Sequence, residues 1–310
     1  MAWATKDMPN LAGRAIVVTG ANSGLGFEAS RAFAAGGARV IMACRNAAKA
    51  ESARQRILTE HRGASVEVMT LDLASLASVR RFAGELATRT NELHVLCNNA
   101  GVMALPRCET AEGFEMQFGT NHLGHFALTG LALPLLLATP DARVVTQSSG
   151  AHRMGRIDFD DLHGTRRYGK WTAYAQSKLA NLLFAFELDR RLRKRQASAI
   201  SVACHPGYAA TELQFAGPKM EGSSVMERIM ALGNQLLAQD AATGALPTLY
   251  AATATDVQGG DYIGPDGIGE LWGQPKKVEP VARARDPELA ARLWQISAEL
   301  TGVGYETLGS

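Results

Sequence analysis

The sequence predicts a doubly wound α/β fold, in which one domain over residues 1–310 holds a parallel sheet of about seven strands with helices on both faces. Two observations carry this prediction. Short runs of branched apolar residues, such as residues 16–18, are typical of strands that are covered on both faces. These runs alternate with segments of helix length, which is the pattern of parallel strands joined by crossover helices. A chain of 310 residues is long enough for one such domain.

The elements alternate regularly along the chain. Predicted strands lie at residues 16–18, 39–44, 65–71, 94–97, 143–147, 200–204 and 262–264. Predicted helices lie at residues 25–36, 47–61, 75–90, 112–137, 172–195 and 287–300. We expect a break near residues 119–121 within the fourth helix, and we interpret the polar residues 150–171 as an inserted surface loop. The Phe and Met residues of segment 208–240 could pack as helix core or line a pocket, and we interpret this segment as a substrate lid.

Composition argues against several classes of function. Hydrophobic residues make up 46% and charged residues 20%, which is typical of a soluble globular protein. The net charge of +2 is spread along the chain, so we predict no nucleic-acid partner. No Cys or His spacing indicates a metal site, and we expect the four cysteines to be small buried residues rather than bridges.

The chain shows no targeting signal in its sequence pattern. The N-terminus has no apolar run of signal-peptide length, and the most apolar run, 126–138, is short for a membrane span and contains Pro134. We therefore expect a cytoplasmic protein without a membrane anchor. Two exposed long helices could support a homo-oligomer.

A glycine-rich turn between the first strand and the first helix predicts a Rossmann-type dinucleotide site. Its glycines are spaced G-x-x-x-G-x-G from Gly20 to Gly26, which departs from the usual G-x-G-x-x-G. Glycines allow a close backbone approach to a phosphate, and the N–H groups of a helix N-terminus favour an anion. The alternative is a tight turn that binds nothing.

Other candidates follow the strands at the carboxyl edge of the sheet, where ligands of open α/β sheets bind. Arg45 follows the second strand, where a site for NAD would place an acid. Because arginine suits a phosphate, Arg45 predicts NADP, although a surface arginine at a helix start is the alternative. Asparagine is unfavourable inside an apolar helix. Asn121 therefore has either a functional role, through its amide or the local backbone, or a buried hydrogen bond without a catalytic role.

A candidate acid/base pair occurs near the start of the 172–195 helix. Tyr174 and Lys178 are four residues apart and share a helical face. A nearby cation, a helix N-terminus and an oxidised nicotinamide would all favour the phenolate, so Tyr174 is a candidate proton donor and acceptor. Ser149, after the fifth strand, could hold a substrate oxygen or form an ordinary turn.

The order of these motifs resembles the short-chain dehydrogenase/reductase family. The matching motifs are TGANSGLG at 19–26, Asp72-Leu73, NNAG at 98–101, Asn121, Ser148-Ser149, YAQSK at 174–178 and PGYAAT at 206–211. Within the family, four features resemble the branch of retinol dehydrogenases, WW-domain oxidoreductases and protochlorophyllide reductases. These features are ACRN at 43–46, the long spacer between Ser149 and Tyr174, KLANLLF at 178–184 and LWQISAELTG at 293–302.

The resemblance implies a role for each matching residue. Tyr174 is the general acid/base, and Lys178 lowers its pKa and binds the nicotinamide ribose. Ser149 steadies the carbonyl or alkoxide, and Asn121 holds a water in a proton relay with Lys178. Spacing leaves open whether Ser148 or Ser149 faces the substrate, and the family pattern selects Ser149. The implied cofactor-binding residues are Gly20, Asn22, Ser23, Gly24, Leu25, Gly26, Arg45, Asp72, Leu73, Asn99, Ala100, Gly101, Tyr174, Lys178, Pro206, Gly207 and Thr211.

These readings together predict an NADP(H)-dependent oxidoreductase. It would transfer a hydride between the nicotinamide and the carbonyl or alcohol of a mostly apolar small molecule. A first alternative is an NADP-binding sensor without turnover, which usually lacks the Tyr or the Lys that this chain retains. A second alternative is a reductase of a carbon–carbon double bond, which the resemblance to protochlorophyllide reductase supports.

Overall fold

The protein folds around one eight-stranded sheet, which confirms the predicted doubly wound class. The structure is a computed structural model that describes residues 3–208 and 239–308. The strands are β1 (Ala15–Thr19), β2 (Arg39–Cys44), β3 (Val66–Thr70), β4 (Val95–Asn98), β5 (Arg143–Gln147), β6 (Ile200–Cys204), β7 (Tyr262–Pro265) and β8 (Pro275–Lys277). Their order is β3-β2-β1-β4-β5-β6-β7-β8. All neighbours pair in parallel except β7 and β8, which are antiparallel.

Helices connect the strands along the described part of the chain. They are α1 (Gly24–Ala35), α2 (Ala47–Glu60), α3 (Leu76–Arg89), α4 (Met116–Ala138), α5 (Lys170–Lys194), α6 (Ala241–Thr253) and α7 (Pro287–Thr301). Side-chain caps define several starts, because Asn46 accepts a hydrogen bond from the Lys49 N–H and Ser75 accepts one from the Ser78 N–H. The left-handed Gly302, at φ +62°, ends α7.

The hydrophobic core lies on both faces of the sheet. Ile16 and Val18 point to one face, where they pack in the same cluster as Phe33 of α1 and residues of α6. Val17 points to the other face, in a cluster that includes Phe126 of α4. Side chains that alternate along β1 therefore anchor both layers, which explains why residues 16–18 are all apolar.

Two elements, β8 and α6, were not predicted, because their sequences lack the usual pattern of a strand or a helix. The antiparallel strand β8 has three residues, too few for a periodic pattern. Helix α6 contains Pro247 and is buried from Gly244 to Thr253, so it shows no polar face.

The predicted loop needs correction, and the predicted lid is not tested. Helix α5 begins two residues early, at Lys170, and the predicted loop 150–171 contains a 3₁₀ helix at Gly150–Met154. The predicted lid 208–240 falls largely on residues 209–238, which lie outside the described residues. The two ends of that segment meet, because the Gln239 N–H donates to the Tyr208 carbonyl at 3.0 Å.

Helix α4 is continuous where the sequence predicted a break. Residues Gly119–Leu123 form a π-helical turn, which contains Asn121, and the helix continues on both sides. In length and composition this 23-residue helix is apolar enough to cross a membrane, but 67% of its most apolar window is buried inside the protein. Burial between sheet and helices accounts for that apolar composition.

The two longest helices within residues 3–208 and 239–308, α4 and α5, are covered rather than exposed. Trp294 of α7 packs on Phe126 of α4, with ring centroids 5.1 Å apart, and stacks on Phe184 of α5 at 5.8 Å. Tyr305 completes the cluster, 4.5 Å from Trp294. The premise of two exposed long helices was therefore wrong, because the C-terminal segment covers them, and a homo-oligomer stays a prediction.

Candidate active site

The turn after β1 has the geometry that a close phosphate approach requires. Gly20 adopts a φ of +67°, which side chains with a Cβ rarely tolerate. A Cβ at Gly26 would lie 2.4 Å from the Gly20 carbonyl oxygen and 2.5 Å from Asn99 Nδ2, so only glycine fits there. Helix α1 therefore begins close against the end of β1, with its unpaired N–H groups at the carboxyl edge of the sheet. This segment contains the predicted residues Gly20, Asn22, Ser23, Gly24, Leu25 and Gly26.

A groove of about 290 Å³ runs along the same edge, at the ends of β1 to β4. These strands flank the switch in strand order between β1 and β4, where open α/β sheets bind ligands. Predicted residues that line the groove are Gly20, Asn22, Arg45, Asp72, Leu73, Ala100 and Gly101. Its donor set fits a nucleotide, because Arg45 and Lys49 bring two cations to the start of α2.

The predicted catalytic side chains lie next to this groove, on the side of Gly101. A Cβ at Gly101, which lines the groove, would lie 3.6 Å from Lys178 Nζ. Lys178 Nζ lies 5.7 Å from the centre of the Tyr174 ring and donates to the Gln147 carbonyl at 3.3 Å. Tyr174 and Lys178 are 5% and 3% exposed. The Ser149 side chain is close enough to the Tyr174 hydroxyl to lower the pKa of that hydroxyl, against the effect of burial.

The two adjacent serines have different surroundings. Ser148 Oγ is buried and donates to the Lys178 carbonyl at 2.8 Å, which fixes β5 to α5. Ser149 is partly exposed beside the Tyr174 hydroxyl. This geometry favours Ser149 as the serine that faces a substrate, in agreement with the family pattern.

Asn121 joins the groove to the catalytic helix through both atoms of its amide. Asn121 Oδ1 accepts the Val102 N–H at 2.8 Å, and Nδ2 donates to the Val102 carbonyl and to Ser177 Oγ, both at 2.9 Å. These side-chain atoms already bind protein groups, and the main-chain carbonyl of Asn121 also lies 3.0 Å from His125 Nδ1. The water relay that the family resemblance implies stays a prediction.

The remaining predicted cofactor residues follow β6. Pro206 and Gly207 lie at the same carboxyl edge, and Gly207 adopts a φ of +68°. A Cβ at Gly207 would lie 2.4 Å from the Leu271 carbonyl oxygen, so the β7–β8 connection packs directly on this turn. Thr211 lies outside the described residues. Within residues 3–208 and 239–308, no group of three His, Cys, Asp or Glu side chains could hold a metal ion.

Comparison with known proteins identifies the family of this chain. The family model described as short chain dehydrogenase matches residues 14–221. The chain belongs to the short-chain dehydrogenase family. It is therefore an oxidoreductase by family, and the family uses nicotinamide cofactors.

Named relatives of this short-chain dehydrogenase are retinol dehydrogenases, which confirms the predicted resemblance. Retinol dehydrogenase 13 of Homo sapiens is 42% identical over 294 residues, which cover 94% of this chain and 85% of that protein. Retinol dehydrogenase 12 of Mus musculus is 40% identical, over 95% of this chain and 88% of that protein.

Solved structures share the fold. An uncharacterized protein from Mycobacterium paratuberculosis is 42% identical, with a TM-score of 0.80 over 98% of this chain and 99% of that chain. RhlG of Pseudomonas aeruginosa, 22% identical, has a TM-score of 0.66 over 84% of this chain and 98% of its own.

Burial dominates the electrostatics of the catalytic cluster in this short-chain dehydrogenase. It raises the pKa of Tyr174 to about 12, although the Ser149 side chain acts in the opposite direction. Burial also lowers the pKa of Lys178 to about 8. At neutral pH the cofactor-free protein therefore holds a neutral phenol and a mostly protonated amine. The predicted lowering of the Tyr174 pKa would need the further positive charge of an oxidised nicotinamide.

Sequence reasoning missed several residues that line the groove. Lys49 shares the cation end with Arg45, and its signal was available, because it lies one helical turn after the Arg45-Asn46 pair. Val102 and Thr120 also line the groove, but they carry no pattern of their own. Their positions depend on the contact between the π-helical turn and the loop after β4, which no local motif encodes.

Proposed function

We propose that this protein is an NADP(H)-dependent oxidoreductase that transfers a hydride between the nicotinamide and the carbonyl or alcohol of an apolar small molecule, with Tyr174 as general acid and base. The observation that carries the proposal is the pair of buried side chains Tyr174 and Lys178, with the partly exposed Ser149, beside the groove. A phenol and an ammonium group in that position can manage a proton beside a reacting carbonyl carbon.

Each side chain of the cluster has a distinct task. The Tyr174 hydroxyl would donate its proton to the substrate oxygen in reduction and accept one in oxidation. Ser149, whose side chain acts on the pKa of that hydroxyl, can hold the same substrate oxygen. The Lys178 ammonium favours the phenolate and is placed to bind a ribose beside Gly101 of the groove. When bound, the cofactor supplies or accepts the hydride.

Two cations support NADP over NAD. Arg45 and Lys49 both line the groove at the start of α2, where the helix dipole also favours an anion. Within the described ranges, no acidic side chain forms an ion pair with either of them. An arginine and a lysine in this position suit a 2′-phosphate through charge-assisted hydrogen bonds.

Removing these cations will weaken NADPH binding selectively. Arg45→Ala is expected to raise the Kd for NADPH about tenfold, and the double variant with Lys49→Ala about 100-fold, because each removes a charge-assisted bond. The Kd for NADH should change less than about twofold. Fluorescence titration with both dinucleotides measures these effects. Arg62→Ala, which removes an exposed charge beyond the other end of α2, is the matched control. Equal losses for NADPH and NADH would contradict the assignment of the 2′-phosphate site.

An exposed apolar side chain near the cluster supports an apolar substrate. Trp171 is 45% exposed and its ring lies 6.3 Å from that of Tyr174. A large exposed apolar group beside a polar cluster is typical of a binding site for an apolar ligand.

A substrate panel tests the proposed reaction against its two alternatives. The purified protein with NADPH is assayed on apolar ketones and aldehydes and on matched enones, with product analysis to tell which bond is reduced. Reduction of the carbonyl supports the proposal. Reduction of the carbon–carbon double bond, or tight NADPH binding with no turnover on either panel, would favour an alternative.

The two reaction directions will respond differently to pH. Because burial holds the pKa of Tyr174 at about 12 in the free protein, the proton needed for reduction is present throughout the neutral range. Oxidation needs the ionised phenol, so its kcat/KM should rise up to about tenfold per pH unit from pH 5.5 to 7.5, while reduction stays nearly constant. Initial rates in both directions measure these profiles. A flat oxidation profile would contradict a tyrosine base.

A further inference from the structure

A buried histidine outside the proposed catalytic set connects two segments of the groove. His125 lies on α4, four residues after Asn121, and is 1% exposed. Its Nδ1 is 3.0 Å from the Asn121 carbonyl oxygen, and its Nε2 is 2.9 Å from Thr19 Oγ1. Thr19 is the last residue of β1 and immediately precedes Gly20. Gly20 begins the glycine-rich turn after β1, called the phosphate turn below.

The protonation of this ring follows from its partners. Burial lowers the pKa of His125 to about 4, with Lys178 as a further cause, so the ring is neutral at pH 7. A carbonyl oxygen only accepts, and therefore Nδ1 carries the proton. Nε2 is left as an acceptor for the Thr19 hydroxyl. That hydroxyl has a second acceptor, the Cys97 carbonyl, but at the longer distance of 3.2 Å.

The orientation of the Thr19 hydroxyl matters for the loop after β4. With its proton directed at His125, Thr19 Oγ1 accepts the N–H groups of Asn99 and Ala100, both at 2.9 Å. The other end of this loop, Val102, is held by the Asn121 amide. Thr19 therefore holds one end of the loop and Asn121 holds the other. His125 is hydrogen-bonded to both of these residues.

We propose that His125 is a positioning residue for the cofactor groove. Its neutral imidazole holds the phosphate turn, the loop after β4 and the π-helical turn of α4 at one fixed spacing. The groove wall formed by Ala100, Gly101 and Val102 depends on that spacing. The inference rests on the proposed function only in taking the groove ligand to be NADPH, and it is tested by binding rather than by turnover.

The test uses uncharged replacements of His125 that keep different ones of its two hydrogen bonds, to Thr19 and to Asn121. His125→Phe removes both hydrogen bonds, and we expect the Kd for NADPH to rise about tenfold. His125→Gln places an amide near Nε2 and keeps the Thr19 bond, so its Kd should stay within about threefold of wild type. His125→Asn reaches only toward Asn121 and should weaken binding about tenfold, as Phe does. The KM for the carbonyl substrate, at saturating NADPH, should change less than about twofold.

His122→Phe is the matched control, because His122 lies on the same helix and is equally buried, but it bonds to Ser297 of α7. We expect this control to lose stability without a change in the Kd for NADPH. The proposal is overturned if His125→Phe binds NADPH as wild type does, or if His122→Phe weakens binding equally. Should His125→Phe not fold, equal binding by the Gln and Asn variants overturns it. Absence of turnover in wild type would contradict the proposed function and leave the binding comparison intact.

Discussion

Tyr174→Phe is expected to lower kcat for carbonyl reduction about 10³-fold, because it removes the only group proposed to donate the proton. The ring and its packing are retained, since Tyr174 is buried and lies in edge-on contact with Trp171. The Kd for NADPH should therefore change little. Steady-state kinetics and a fluorescence titration on the same preparation measure the two quantities separately.

Tyr250→Phe serves as the control for the loss of a tyrosine hydroxyl. Tyr250 lies on α6 and its hydroxyl donates to Asp256 at 2.5 Å, outside the proposed cluster. This variant should keep wild-type kcat even if its stability falls. If Tyr174→Phe retained more than about a tenth of wild-type turnover, another group would have to supply the proton.

Acidification will destabilise the fold through its buried histidines. Burial lowers the pKa of His122 to about 3 and of His125 and His152 to about 4, whereas in the unfolded chain histidine titrates near 6.5. Below about pH 6.5 the unfolded state therefore binds more protons, and the free energy of unfolding falls until the folded pKa values are reached. Each histidine contributes on the order of 3 kcal/mol to this loss.

Urea unfolding between pH 7.5 and 5 measures the effect. Burial raises the pKa of Glu115 and Asp189, so these carboxyl groups oppose the loss toward the acidic end. Comparing the free energy of unfolding of wild type with that of His122→Phe at each pH removes the contribution of these carboxyl groups. His122→Phe, which cannot bind the proton, should lose less stability than wild type over the same interval. Parallel curves for the two proteins would show that His122 is not held neutral by burial.

The sequence predicted the part of the site that local chemistry encodes. The glycines of the first turn, Arg45 after β2 and the Tyr174–Lys178 pair each depend on neighbours within one strand, turn or helix. Strands β1 to β7 were predictable for the same reason, since their apolar runs are bounded by turn residues.

What the sequence did not reveal depends on contacts between distant segments. Residues 275–277 form strand β8 because they pair with the edge of β7. Their own strand propensity does not account for it. The hydrogen bonds to Thr19 and Asn121 determine which ring nitrogen of His125 carries the proton. No sequence motif links Thr19 to His125. Spacing alone left open the choice between Ser148 and Ser149, which the family pattern made, and the physical reason is that Ser148 is bonded to α5. Long-range hydrogen bonds of this kind leave no periodic trace in the chain.

The aromatic cluster formed by Trp294 and Tyr305 has a consequence for synthesis. Phe126 and Phe184 belong to helices that are translated well before the rings that cover them. A nascent chain therefore carries an uncovered aromatic surface until Trp294 and Tyr305 have left the ribosome, and such surfaces promote misassembly. Chaperone dependence should be greatest in that interval and end when α7 docks.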